Sequence, residues 1–133
     1  MQQCAAYFKC VQNDFALVNI SSIYGVVAPK FEVYNNTKMT MPVEYAAIKS
    51  ALLHLSRYVV AYVADSRFRV NSVSPGGIFD HQPNDFVSKY ASNTNGKGLL
   101  DSGDVIGAIV FLLSDSSKYI TGQNIVVDDG FTL

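Results

Sequence analysis

Short apolar runs and longer helical patterns alternate along this 133-residue chain. The runs at residues 15–20, 68–74 and 123–128 are rich in strand-forming residues and end at Ser, Pro or Gly, which predicts three strands. Residues 43–64 contain no Gly or Pro and follow Pro42, which suits a first helical turn. This stretch therefore predicts a helix of about 20 residues.

Three further segments favour helix. Residues 1–10 contain no helix breaker, and residues 85–90 form a short helical pattern within a polar region. Residues 102–113 carry an apolar stripe behind Ser102, which we expect to be the N-cap. Residues 26–41 follow neither the helical nor the strand period, which predicts a long loop.

The order strand, helix, strand, helix, strand predicts a parallel α/β sheet with right-handed crossovers. Residues 1–133 suffice for one domain and not for two. The helix at 43–64 is apolar around most of its circumference, so we expect neighbouring elements to bury several of its sides.

Composition excludes several classes of function. Ten basic and eleven acidic residues give a net charge of -1 without a basic cluster, which argues against nucleic-acid binding. The longest apolar run, residues 58–64, is far shorter than the roughly 18 to 20 residues of a membrane helix. No secretory signal is recognisable, so we expect a cytoplasmic protein. Cys4 and Cys10 are too few for a disulfide framework or a zinc cluster, and we expect no metal site.

Two Tyr-x-x-x-Lys pairs place a phenol and an ammonium group on one face wherever the segment is helical. A cation beside a phenol favours the phenolate, which shifts the pKa of the phenol toward the range of an acid-base catalyst. Chance predicts roughly 0.4 such pairs in a chain of this composition, so the spacing alone is a weak signal. The pairs are Tyr34 with Lys38 and Tyr45 with Lys49.

Local sequence favours the second pair. Tyr34 and Lys38 flank Asn-Asn-Thr and precede Pro42, which disfavours a helix there. Tyr45 and Lys49 lie in the strongest predicted helix, where a Lys among Ala and Leu residues needs a partner or a ligand. The alternative is structural, with Tyr45 in the core and the stem of Lys49 extended along the apolar surface to water.

Two other segments follow predicted strands. Ser21 and Ser22 follow the first strand, and Pro75-Gly76-Gly77 follows the second. The carboxyl ends of parallel strands meet at the sheet edge where ligands bind. A hydroxyl there can polarise a carbonyl, and glycines let a flat ligand approach the backbone. Each segment alone is more simply explained as a turn at a strand exit.

Four segments in this order resemble the second half of a short-chain dehydrogenase/reductase (SDR). They are VNISSIYG at 18–25, YAAIKSA at 45–51, RVNSVSPG at 69–76 and ITGQNIVVDDG at 120–130. Residues 34–44, YNNTKMTMPVE, are further similar to the SDR subgroup found with flagellin modification and nonulosonate sugar pathways. That similarity implies a sugar or sugar nucleotide as substrate.

The resemblance implies NAD(P)-dependent hydride transfer to or from a small-molecule carbonyl or alcohol. By position, Tyr45 would be the general acid/base, and Ser22 would hydrogen-bond the substrate oxygen. Lys49 would hold the nicotinamide ribose and favour the phenolate of Tyr45. The implied catalytic residues are Ser22, Tyr45 and Lys49, and the implied cofactor-binding residues are Lys49, Pro75, Gly76 and Gly77.

The sequence contains no Gly-x-x-x-Gly-x-Gly motif, with which the family binds the cofactor pyrophosphate. We therefore expect a partial Rossmann-like sheet of about three strands, without the dinucleotide-binding half. NAD or NADP would then bind this chain only weakly. The first strand would have an unpaired edge, which we expect a homo-oligomer or a partner chain to cover.

Three interpretations of the function follow. The chain is an oxidoreductase unit that is weak or inactive alone, which the motifs favour. It is a non-catalytic remnant or oligomerisation module, which explains the absent half. Or it is a fragment of a longer gene product without an independent role.

Overall fold

The computed structural model describes residues 1–133 and contains one three-stranded parallel sheet. The strands are β1 (Phe15–Ile20), β2 (Phe68–Pro75) and β3 (Asn124–Val127), in the order β1-β2-β3. Phe15 is paired with Phe68 at the start of β1, so the strands end at the same edge of the sheet. The parallel α/β fold and the three predicted strands are confirmed. The outer edge of β1 has no neighbouring strand.

Four α-helices connect or flank the strands. They are α1 (Gln2–Val11), α2 (Val43–Val63), α3 (Asn84–Ala91) and α4 (Ile106–Leu113). All four correspond to predicted helices, and the predicted loop 26–41 contains only one turn of 3-10 helix, at Phe31–Tyr34. None of the helices combines the length and the apolar character that crossing a membrane requires.

The predicted N-cap at Ser102 is wrong by one residue. Asp101 is the N-cap of a 3-10 turn at Ser102–Val105, which leads into α4. The Asp104 carboxylate accepts the backbone N–H of Asp101 at 2.8 Å. With Asp101 as the cap, the residue three positions later is Asp104, whose carboxylate satisfies a backbone donor. With Ser102 as the cap, that position would be Val105, which has no side-chain acceptor.

The two faces of β2 pack against different helices. Phe68 and Val70 are buried with Phe8 of α1 and Val59 of α2. Arg69 points to the opposite face, where its guanidinium donates to the carbonyl of Leu112 in α4 at 3.0 Å. Helices therefore cover both faces of the sheet, as strand alternation requires.

The expectation that several sides of α2 are buried is wrong for this chain. Only Ser56 and Val59 of α2 are buried. Ile48, Tyr58 and Tyr62 are 65%, 63% and 63% exposed. The sheet, α1 and the 3-10 turn at Ile23–Gly25 pack on the helix, and its remaining surface stays exposed.

Candidate active site

A cavity of about 310 Å³ lies at the carboxyl ends of β1 and β2. The first turns of α2, the loop 26–41 and α3 complete its wall. All residues predicted for the site line this cavity: Ser22, Tyr45, Lys49, Pro75, Gly76 and Gly77.

Lys49 is fixed between α2 and the end of β1. Its Nζ donates to the carbonyl of Ile20 at 3.0 Å and lies 5.5 Å from the centroid of the Tyr45 ring. The Ser21 hydroxyl donates to the Lys49 carbonyl at 2.9 Å. Tyr45 is 40% exposed, so the alternative that places it in the core is wrong.

Gly25 permits this contact between α2 and the loop after β1. A Cβ at this position would lie 2.7 Å from the Lys49 carbonyl carbon and 2.8 Å from its oxygen. Both distances are shorter than atoms of these types tolerate. The absence of a side chain at Gly25 therefore allows Lys49 to lie close to Ser21 and Ser22.

The two serines have different roles in the structure. The Ser21 hydroxyl proton is used in the hydrogen bond to Lys49. The Ser22 oxygen instead accepts the Tyr24 backbone N–H at 3.2 Å and caps the 3-10 turn at Ile23–Gly25. A hydroxyl has one donor as well as acceptor capacity, so Ser22 keeps its proton for a ligand in the cavity.

The Pro75–Gly77 turn is held by α3. The Gly77 N–H donates to the Tyr90 hydroxyl at 2.6 Å. A Cβ on Gly76 would lie 2.8 Å from that hydroxyl oxygen, so packing of the turn against Tyr90 also requires a glycine at position 76. Burial raises the pKa of Tyr90 to about 12, so its hydroxyl stays neutral at physiological pH.

Besides Tyr90, sequence reasoning missed two tyrosines of the cavity wall, Tyr24 and Tyr34. Their hydroxyl oxygens are 3.1 Å apart and hydrogen-bonded. The sequence indicates Tyr34 only as a possible helical partner of Lys38. The 3-10 turn ends at Tyr34, so the two residues do not share a helix. The only sequence signal for either tyrosine was its place in or beside a loop next to a strand end.

A larger concavity, of about 470 Å³, lies at the amino end of β1 and β2. It contains none of the predicted site residues. Of its three cationic side chains, Arg67 is paired with Asp65 at 2.7 Å, Arg69 donates to backbone carbonyls, and the Lys118 Nζ lies 6.0 Å from the centroid of the Tyr119 ring. The chemistry expected from the sequence is therefore confined to the carboxyl edge of the sheet.

Comparison with known proteins agrees with the geometry. A family model described as Enoyl-(Acyl carrier protein) reductase matches residues 1–132. Post-translational flagellin modification protein A of Campylobacter coli is 46% identical over 132 residues, which are 99% of this chain and 51% of that protein. The 7alpha-hydroxysteroid dehydrogenase of Bacteroides fragilis is 33% identical over 138 residues, 100% of this chain and 49% of that protein. The chain thus spans about half the length of these relatives.

Solved structures show the same architecture. A short chain dehydrogenase from Leptospira borgpetersenii with bound NAD+ is 36% identical with a TM-score of 0.91, over 99% of this chain and 50% of that one. A 4-hydroxyisoleucine dehydrogenase complexed with NADH is 28% identical with a TM-score of 0.80, over 98% of this chain and 52% of that one. The motifs, the fold and these relatives agree, and the chain belongs to the short-chain dehydrogenase/reductase family.

Proposed function

We propose that residues 1–133 form a single domain that supplies the proton-transfer and substrate side of an NAD(P)-dependent oxidoreductase. The observation that carries this proposal is the convergence of Ser22, Tyr45 and Lys49 on one cavity beside the Pro75–Gly77 turn. The substrate is a carbonyl compound or the corresponding alcohol.

Each catalytic residue has a separate task in this proposal. The Ser22 hydroxyl donates to the substrate oxygen and orients it. Tyr45 gives its proton to that oxygen during reduction and takes it back during oxidation. Lys49, whose Nζ lies 5.5 Å from the centroid of the Tyr45 ring, holds the nicotinamide ribose beside the proton donor. When bound, the nicotinamide supplies or accepts the hydride.

The residues beside Tyr45 fit the nicotinamide end of the cofactor. An ammonium group has three donors, and Lys49 uses one of them within the chain, so two can reach ribose hydroxyls. Gly76 and Gly77 present a backbone wall without side chains to a flat ring. A glycine-rich pyrophosphate turn is not among these 133 residues, so we propose weak binding of NAD or NADP to this chain alone.

We further propose a sugar or sugar nucleotide as substrate. The similarity to a flagellin modification protein supports this class, and so does a cavity wall that contains hydroxyl groups from Ser22, Tyr24, Tyr34 and Tyr45.

Two surfaces support assembly with a second copy or a partner chain. The outer edge of β1 is unpaired, and the exposed side of α2 is apolar at Ile48, Leu55 and Tyr58. These surfaces also favour the second candidate function, a non-catalytic oligomerisation module.

Transfer of deuterium from (4,4-²H₂)NADH, which carries the label on both faces, to 2-hydroxycyclohexanone distinguishes the two functions, because mass spectrometry detects even slow turnover. We expect labelled diol from the purified chain at saturating NADH, and a loss of about 100-fold or more in Tyr45→Phe. Tyr62→Phe, the same substitution at an exposed position of the same helix, leaves the rate unchanged. Equal rates in Tyr45→Phe and the unmodified chain, or no labelled product at all, would refute catalysis by this site.

A further inference from the structure

The hydroxyls of Tyr24 and Tyr34 form a pair in the wall of the active-site cavity. The two oxygens are 3.1 Å apart, and neither makes another hydrogen bond within the chain. Tyr24 follows Ser22 by two residues, and Tyr34 belongs to the loop that covers the cavity. The pair therefore contacts the same space as the Ser22 and Tyr45 hydroxyls.

Counting protons shows that the pair has a spare donor. Two hydroxyls have two protons, and one hydrogen bond between them uses one. Whichever tyrosine donates within the pair, the other proton has no acceptor in the chain. Tyr24 is 7% exposed, so an acceptor from a ligand would satisfy a donor that is almost removed from solvent.

The pair is neutral and held in place. Burial raises the pKa values of both Tyr24 and Tyr34 above that of a free tyrosine, so both hydroxyls keep their protons. The centroid of the Phe86 ring lies 5.3 Å from that of the Tyr34 ring. The centroid of the Phe131 ring lies 6.4 Å from that of the Tyr24 ring. Fixed neutral hydroxyls bind and orient a ligand rather than exchange protons with it.

The remaining wall determines which ligand suits this donor. Lys49 is the only charged side chain that lines the cavity, and no carboxylate lines it. Ser22, Tyr45 and Lys49 are assigned to the reacting oxygen and the cofactor. The chain therefore supplies no acceptor for the spare proton of the tyrosine pair, and a second oxygen of the substrate would supply one.

We propose that Tyr24 and Tyr34 form a second anchoring site that binds a substrate oxygen other than the reacting one. The pair selects substrates with oxygens on two carbons, such as hydroxy ketones and diols, over substrates with a single oxygen. This inference rests on the proposed function, since it takes the cavity as a substrate site. It identifies the residues that distinguish an oxygen-rich substrate from a plain ketone.

An internal competition measures this selectivity directly. The chain reduces an equimolar mixture of 2-hydroxycyclohexanone and cyclohexanone with (4,4-²H₂)NADH, and the ratio of the two labelled products gives the ratio of their kcat/KM values. The test variant is Tyr24→Phe/Tyr34→Phe, because either single variant leaves one hydroxyl with a free proton. The matched control is Tyr62→Phe/Tyr119→Phe, which removes two hydroxyls from exposed positions that do not line the cavity.

We expect the product ratio to fall about 2- to 10-fold in the test variant, the usual effect of one lost hydrogen bond, and to stay unchanged in the control. Reduction of cyclohexanone continues at a similar rate, which also shows that the variant is folded. An unchanged ratio in the test variant would overturn the inference while the proposed function stands.

A binding measurement separates the two proposals if turnover fails. Ligand-observed NMR with each ketone gives the ratio of affinities without any chemistry. A ratio that falls only in the tyrosine-pair variant supports the anchoring site even where no deuterium is transferred, an outcome that refutes the proposed catalysis. Equal affinities of both ketones for all variants would overturn the anchoring site.

Discussion

Gly25 sets the distance between α2 and the end of β1. Its missing side chain allows the Lys49 carbonyl to lie where a Cβ would meet it at less than 3 Å. The Nζ of Lys49 donates a hydrogen bond to the carbonyl of Ile20 at the end of β1. The position of Lys49 thus depends on the absence of a side chain at Gly25.

Gly25→Ala is expected to destabilise the chain by about 1–3 kcal/mol, because the added methyl group forces α2 away from the loop. Urea unfolding measures the change. Gly107→Ala is the control, since a Cβ at that helical position meets nothing within 4 Å. It is expected to stabilise the chain by about 0.5–1 kcal/mol. Equal effects of the two substitutions would contradict the close contact.

Tyr90 makes the stability of the chain depend on alkaline pH. Burial raises its pKa to about 12, whereas an unfolded tyrosine titrates near pH 10. The folded state therefore holds a proton that the unfolded state releases, and stability falls as the pH rises from about 10 toward 12. Urea midpoints at about pH 9 and about pH 11 should differ less in Tyr90→Phe than in the unmodified chain. An equal loss of stability between the two pH values in Tyr90→Phe and the unmodified chain would contradict the raised pKa of Tyr90. Tyr119→Phe is the control, because Tyr119 is 90% exposed.

The sequence predicted some site residues because their spacing carries information. Tyr45 and Lys49 share a helix, and Ser22 and Gly76 follow strands that end at one sheet edge. Tyr34 and Tyr90 reach the cavity only through the packing of loop 26–41 and α3. No periodicity in the sequence reports packing between such distant segments.

At the scale of elements, one carboxylate joins two loops near the carboxyl end of β3. Asp129 accepts the backbone N–H groups of Gly96, Lys97 and Gly98 at 3.0, 2.6 and 3.1 Å. These donors hold the pKa of Asp129 below its ordinary value. Its contribution to stability is complete above the unfolded pKa of about 3.9 and disappears as the pH falls through the lower folded value.

Asp129→Asn is therefore expected to weaken the chain at neutral pH and to flatten the loss of stability below about pH 4. Thermal unfolding followed by circular dichroism between neutral and acidic pH measures both effects. Asp115→Asn is the control, because the Asp115 carboxylate accepts no hydrogen bond in the chain and its removal leaves the acidic limb unchanged. An unchanged acidic limb in Asp129→Asn would contradict the proposed anchor.

The elements themselves were largely predictable. Apolar runs closed by Ser, Pro or Gly located all three strands, because parallel strands are buried on both faces. The apolar pattern of α2 predicted the helix correctly but not its exposure. Apolar residues indicate that a helix surface favours contact with another element. Most of the apolar side chains of α2 have no such contact within this chain.

At the scale of the whole molecule, the exposed side of α2 is the surface most suited to association. Ile48, Leu52, Leu55 and Tyr58 form one apolar groove on it. Ile48→Lys places a charge in this groove and is expected to lower self-association in sedimentation velocity. Asn13→Lys adds the same charge at an exposed polar position before β1 and leaves association unchanged. Equal effects of both variants would locate the contact elsewhere.

The most direct test of the central claim is calorimetric titration of the chain with reduced nicotinamide mononucleotide and with NADH. The residues around Tyr45 contact only the nicotinamide end in the proposed function. The account therefore predicts millimolar affinities within a few-fold of each other, both lost in Lys49→Ala. Micromolar binding of NADH without binding of the mononucleotide would contradict it, because the chain would then hold the cofactor through its adenine end and not through the cavity of Ser22, Tyr45 and Lys49.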